Sequence, residues 1–283
     1  MPLDFRSRNM RSPPAKKYAP ILLAVFLFAG HPPAEGGERG DWDIRIGAGA
    51  RYVAKYEGSD EMKTRALPLM DITWKDLVFL NPRDGLGVRV YDEGGLTLSA
   101  GAGYVFARDE SDGDALRGMG DIDETAAANL VVKYGLGPVR PYIRVSRHLG
   151  GSGGTLVKAG VGAVAPFALF TGRVNPKEMG DGGLKGPAIK FGASATWADG
   201  DYMESYFGVN PAQSSASGHP RYKPEAGFKS VDFEVGVIYL LADGRWAVNA
   251  QAGYSRLSGD AKDSPVVKDA GRFSGGLFLS YRF

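Results

Sequence analysis

Residues 41–60, DWDIRIGAGARYVAKYEGSD, alternate from Trp42 to Tyr56. Trp42, Ile44, Ile46, Ala48, Ala50, Tyr52, Ala54 and Tyr56 fall on one side, and Asp43, Arg45, Gly47, Gly49, Arg51, Val53 and Lys55 on the other. Period two gives two chemically distinct faces only in a β-strand. The pattern recurs at 95–108, 138–147, 231–241, 244–257 and 272–283, and more noisily at 64–75, 77–81, 86–91, 122–134, 155–167 and 187–198. These segments predict twelve strands. The last ends on Phe283 at the terminus, with Leu277, Leu279 and Tyr281 on its apolar face. A closing strand of this form suits the outer-membrane insertion machinery.

A soluble sandwich would use strands of about five or six residues, whereas a tilted strand needs about nine to eleven to cross a bilayer. Several runs are longer than that. Aromatic residues near the run ends (Trp42, Tyr52, Tyr56, Tyr104, Tyr239, Trp246, Tyr254) sit where girdles at the lipid boundary belong. The expected fold is therefore an all-β, antiparallel transmembrane barrel. Its short connections, 92–95, 135–138 and 242–245, alternate with long ones at 109–121, 149–154, 199–227 and 258–271. That parity puts both termini in the periplasm. The segment 168–186 is long for a periplasmic turn, and ten strands would result if 77–91 were a plug or an outer loop.

The polar faces predict the interior. Arg45, Arg51, Arg89, Arg140, Arg144, Asp71, Asp232 and Glu234 should point inward, where opposite charges pair with one another and with water. Gly47, Gly49, Gly101 and Gly103 lie on the same face and leave room for long neighbours. A structural network is the plain expectation; a selective small pore is the sharper one.

Composition adds a compartment. Five Lys and Arg residues precede the apolar run 18–30, followed by a small-residue exit, which reads as a signal peptide over 1–36. Removing it changes 34 basic and 32 acidic side chains to 29 and 30, so the net charge falls from +2 to −1. The basic balance belongs to the leader and gives no support to a nucleic-acid partner. The chain has no cysteine, which excludes disulfides, a lipidated cysteine and thiolate metal sites. No later stretch is long and apolar enough for a spanning helix. The barrel domain is expected over 37–283.

Motifs for chemistry are sparse. GGSGG (150–154) places Ser152 in a G-x-S-x-G pattern near His148, but no helical pattern follows to make a nucleophile elbow. Asp109, Glu110, Asp112, Asp114, Asp121 and Asp123 lack EF-hand spacing and read as a solvated outer loop. No phosphate loop, dinucleotide fingerprint or zinc spacing is present. The expected catalytic, cofactor-binding and metal-ligating residues are none.

The words between the strands are more specific. YEGSD (56–60) followed by Pro68, LRGMGDID (116–123), SYFGVNPAQSSASGHPRYKPEAGF (205–228) and LSGDAKDSPVV (257–267) together resemble the MipA/OmpV family of outer-membrane proteins, named for an MltA-interacting protein. The resemblance covers about residue 42 to Phe283. It implies an outer-membrane barrel contacting membrane lipid. For one namesake it implies a non-enzymatic scaffold joining a murein hydrolase, a lytic transglycosylase, to a murein synthase in cell-envelope maintenance. It supplies no catalytic residues, and the expected periplasmic turns are short for docking.

Overall fold

The computed structural model describes residues 41–167, 187–241 and 244–283. Twelve strands follow one another: β1 (Trp42–Ala54), β2 (Met62–Trp74), β3 (Val78–Asn81), β4 (Gly85–Glu93), β5 (Leu96–Val105), β6 (Thr125–Tyr134), β7 (Val139–His148), β8 (Thr155–Pro166), β9 (Ala188–Ala198), β10 (Gly227–Leu240), β11 (Trp246–Leu257) and β12 (Gly271–Arg282). Each pairs antiparallel with its chain neighbours, and β1 closes on β12 from Arg45↔Arg282 to Tyr52↔Gly275. The barrel is closed, so no strand pair is left open along its full length.

The alternation sets the faces as expected. Ile46, Tyr52, Phe233, Val237 and Leu277 are exposed on the outer wall, while Leu69, Phe278 and Ser280 are buried on the inner one. Trp42 packs 6.1 Å from Trp74, and Tyr281 lies 4.9 Å from Trp246 and 5.0 Å from Phe283, forming an aromatic rim at the end where β1 begins and β12 finishes. Among the described residues, the turns after β2, β4 and β6 at this end are tight. Gly94 and Gly95 have φ of 59° and 81°, the left-handed pair that a two-residue hairpin favours because it matches the strand twist.

The segment 77–91 is neither a plug nor an outer loop. It forms β3 and most of β4, and the strand number is twelve. Its hairpin is short, however. β2 pairs with β3 only from Ile72↔Leu80 to Trp74↔Val78, and β3 with β4 only from Val78↔Val88 to Asn81↔Gly85. The signal peptide over 1–36 and the long connection 168–186 lie outside the described residues.

At the opposite end the long loops fold onto each other. They carry α1 (Gly200–Phe207), α2 (Pro211–Ser217), α3 (Gly259–Lys262) and two 3-10 turns, Glu110–Asp112 and Asp114–Leu116. Asp199 caps α1 by accepting from Tyr202 N–H at 3.0 Å, and Asn210 with Gln213 forms a reciprocal capping box on α2, which starts at Pro211. Two buried clusters join four loops. Tyr56, Leu116, Met119, Val209 and Val266 form one; Tyr202, Met203, Phe207, Leu257 and Ala261 form the other. These loops make a dome with its own core.

The dome corrects two expectations. Tyr56 leaves the lipid-facing row of β1 and is buried, its hydroxyl donating to Val266 O at 3.1 Å, so it is not a girdle residue. The acidic loop is not simply solvated. Asp112 pairs with Lys63 at 2.7 Å, Asp121 accepts from Glu110 N–H at 2.7 Å, and the Glu110 carboxylate accepts from Gly118 and Gly120 N–H. These carboxylates tie backbone turns together.

Candidate functional site: the barrel lumen

The inward positions stack in layers from the short-turn end upward. Arg282 grips Asp43 through Nε and Nη2 at 2.9 and 3.1 Å, and Arg45 lies 3.9 Å from Asp71. Above them Phe278, Leu67 and Leu69 form a buried apolar cluster. Their register explains it. Gly49 faces both Phe278 and Leu67, and Gly47 faces Leu69, so the missing side chains leave room for large apolar ones inside the wall.

Next to β2 the β3–β4 hairpin turns its tip inward, toward β6 and β7. Asp84 is buried and ion-paired to Arg144 of β7, with Lys133 of β6 at 3.4 Å. Arg144 also donates to Arg83 O at 3.1 Å, and Asn129 to Asp84 O at 3.2 Å. A buried carboxylate with two cations beside it is well compensated. On another sector Asp232 pairs with Lys158 at 3.0 Å and accepts from Ser255 at 2.5 Å.

Beneath the dome sits a charged knot. Pairing between β9 and β10 skips Lys229, since Phe228 faces Trp197 and Ser230 faces Thr196. The bulge turns Lys229 inward, where its Nζ reaches Glu57 at 2.6 Å while Arg272 reaches the same carboxylate at 3.3 Å. Tyr202 donates to Glu57 at 3.1 Å and lies under the Lys229 ammonium, 5.2 Å from its ring centre. Burial pushes the Glu57 carboxyl up, but Lys229 and Arg272 outweigh it and hold it down at about 2. Burial also pushes the Tyr206 hydroxyl up to about 12.

Between these layers lies a cavity of about 840 Å³, lined by Arg51, Arg65, Arg144, Lys158, Asp232 and Glu234 among others. Six of the eight predicted interior charges behave as expected, pairing across the lumen or lining it. Arg89 and Arg140 do not enter this network. Arg89 pairs with Asp92 at 3.1 Å near a tight turn, and Arg140 is exposed near the same end. The sequence reading missed Glu57, Asp84, Lys229, Arg272 and Phe278. Phe278 was legible as an inward position of an alternating strand, but Lys229 follows a bulge that breaks the parity.

His148 and Ser152 do meet. Nδ1 lies 2.7 Å from Oγ, and both residues are buried. Ser152 Oγ also accepts from Gly154 N–H at 3.2 Å within a turn. No helix follows it, so the serine staples the loop rather than occupying an elbow. Among the described residues no three His, Asp or Glu side chains gather as a metal site.

The closed ring, the outward apolar faces and the aromatic rim define an outer-membrane β-barrel. Residues 46–283 match the family described as MltA-interacting protein MipA, and the chain belongs to that family. It is similar to outer membrane protein Omp26La of Vibrio anguillarum, 29% identical over 94 residues, which cover 32% of this chain and 34% of that one. The match thus spans about a third of that relative's length. Solved structures with similar folds include the outer membrane channel DcaP of Acinetobacter baumannii (9% identity, 88% of this chain and 99% of that one, TM-score 0.39). The NanC porin is another (10% identity, 86% and 100%, TM-score 0.41). The four words that carry the family resemblance all lie in the dome or at its base.

Proposed function

We propose that this barrel is a non-enzymatic interaction protein of the outer membrane that holds murein-processing enzymes near the envelope, among them a lytic transglycosylase. The family description supports the partner class. The observation that carries the reading is the obstructed lumen. The dome closes over one end with two apolar clusters, while the Phe278, Leu67 and Leu69 cluster and the Arg83–Asp84 tip fill the middle. A diffusion porin needs a water-filled bore, and this interior favours a role exercised at the barrel's surface.

Purified protein immobilised in detergent should retain a lytic transglycosylase from solubilised envelopes, and altering 168–186, the long connection between β8 and β9, should abolish retention. Retention unchanged by that alteration, or none at all, would sink the docking role. The 840 Å³ charged cavity favours a second reading, a narrow solute channel. Steady single-channel conductance in planar bilayers that closes when Arg51 or Glu234 is replaced would establish it instead.

A further inference from the structure

Above the short β3–β4 hairpin the barrel wall is interrupted. On its β3 side β2 is paired only from Ile72 to Trp74, and on its β4 side β5 is paired only as far as Ala102. Among the described residues, Met62–Asp71 of β2 and Gly103–Val105 of β5 have no ladder partner on the sides that face each other. Pro68, which has no N–H to donate, lies within that edge, as prolines of sheets do. The gap is framed below by the hairpin tip and above by the Lys63–Asp112 ion pair. Unpaired backbone cannot face hydrocarbon without losing several kcal/mol per group, but is tolerated where it lines a cavity. The gap meets that condition. Pro68, Met70, Leu86 and Tyr104, the last stacked edge-on with Phe106 at 4.9 Å, line the same cavity as the interior Arg51 and Arg65.

Just inside the gap the donors are unmatched. Arg65, Arg51, Gly276 and Gln251 form one continuous row across β2, β1, β12 and β11. Two arginines directly opposite each other repel; Glu234 across the cavity acts on Arg51 from a distance, and among the described residues neither arginine reaches a carboxylate at ion-pair or hydrogen-bond distance. Arg51 Nε and Gln251 Nε2 are buried without acceptors, as is Arg272 Nη1 four residues along β12 toward the dome. Gly276 keeps the row open, because a Cβ there would lie 3.0 Å from Gln251 Nε2 and 3.2 Å from Arg51 Cγ. Buried donors with no acceptor cost free energy, and a row of them is the arrangement expected of a site whose acceptor comes from outside.

The geometry points to a binding site for a single-chain anionic amphiphile, its head on the Arg51–Arg65–Gln251 row and its acyl chain leaving through the gap between β2 and β5 into the lipid. An anion supplies what the row lacks, and an apolar tail matches the Pro68, Met70, Leu86 and Tyr104 frame. The gap opens in the half of the barrel nearest the dome, so the chain would lie in the outer leaflet. The site is independent of any docking role at the periplasmic end, and either can fail without the other.

The test uses the full chain in phosphatidylcholine nanodiscs. The protein has no cysteine, so Met70→Cys labelled with a polarity-sensitive fluorophore reports on the gap alone. Dodecanoate and dodecyl phosphate should shift its emission saturably. Acetate and inorganic phosphate should not, and dodecyltrimethylammonium should bind at least about tenfold more weakly than dodecanoate. The double variant Arg51→Gln, Arg65→Gln should weaken dodecanoate binding about tenfold or more while the barrel melts at the same temperature or higher, since a repulsive pair has been removed. Equal binding of the cationic detergent, undiminished binding by the double variant, or no saturable response to dodecanoate would each overturn the proposal. A double variant that fails to fold is replaced by Arg65→Gln alone, read by the same criterion.

Discussion

Lys229 and Glu57 stand 172 residues apart and meet at 2.6 Å because one strand carries an extra residue. Without the bulge at Lys229 the parity of β10 would send that ammonium toward lipid. With it, Glu57 gains a second cation beside Arg272, and the β1–β2 loop is pinned beneath the dome. Replacing Lys229 with Met should cost about 3 kcal/mol, because the carboxylate stays buried with Arg272 as its remaining cation. Chemical or thermal unfolding in detergent checks this, and a loss below about 1 kcal/mol would place the knot among ordinary surface pairs.

Glu57 also sets an acid limit. Its carboxyl falls from an ordinary 4.5 to about 2 in the folded barrel, so the folded state favours the ionised form. That contribution is complete above about pH 4.5 and is lost as pH falls toward 2. The melting temperature should drop across that interval, and Glu57→Gln should flatten the drop. A profile identical to the parent's would remove Glu57 from the account.

The dome is predicted to hold the loops as a unit. Leu116 is fully buried in the cluster that joins four loops. Leu116→Ala should cost about 2–5 kcal/mol of dome stability and should make the 106–124 loop susceptible to protease while the strands stay protected. Cleavage confined to other loops would contradict this packing.

Inside the wall, Phe278 fills the space above Gly49, and Asp84 holds the hairpin tip to Arg144. The two obstructions are separate, so removing one widens the bore without clearing it. Phe278→Ala with Asp84→Ala should yield conductance in planar bilayers well above that of either single change. Additive or absent effects would mean that the dome alone governs passage.

Phe283 donates its N–H to Ile44 O at 3.0 Å, and its ring is largely exposed at the rim. Replacing it with Ala should leave the refolded barrel within about 1 kcal/mol of the parent while reducing the amount assembled in cells. Equal assembly would show that the terminal ring has no role in insertion.

Ser152 and His148 illustrate a motif whose meaning changes with context. Adjacent glycines and a nearby histidine match G-x-S-x-G without the helical pattern an elbow needs, and the structure joins the two side chains inside a turn closed by Gly154 N–H. Ser152→Ala should lower stability by about 1 kcal/mol, measured by unfolding, and no hydrolysis should depend on it.

The alternation in β1, β5, β11 and β12 determined the barrel class and the side their residues face, because period two is a local property of extended backbone and a one-residue slip would put Arg45 and Arg51 into lipid; whether 77–91 joined the wall, and so ten strands or twelve, was left to the structure. The loops' words were legible as a family signature. Their packing was not, since Tyr56, Leu116, Phe207 and Val266 are distant in sequence and become neighbours only when the ring closes. Tertiary structure also decided the bulge at Lys229, the inward tip at Asp84 and the unpaired edges above it. Each depends on which strands stop early and what faces them across the lumen, and no local pattern along one strand carries that information.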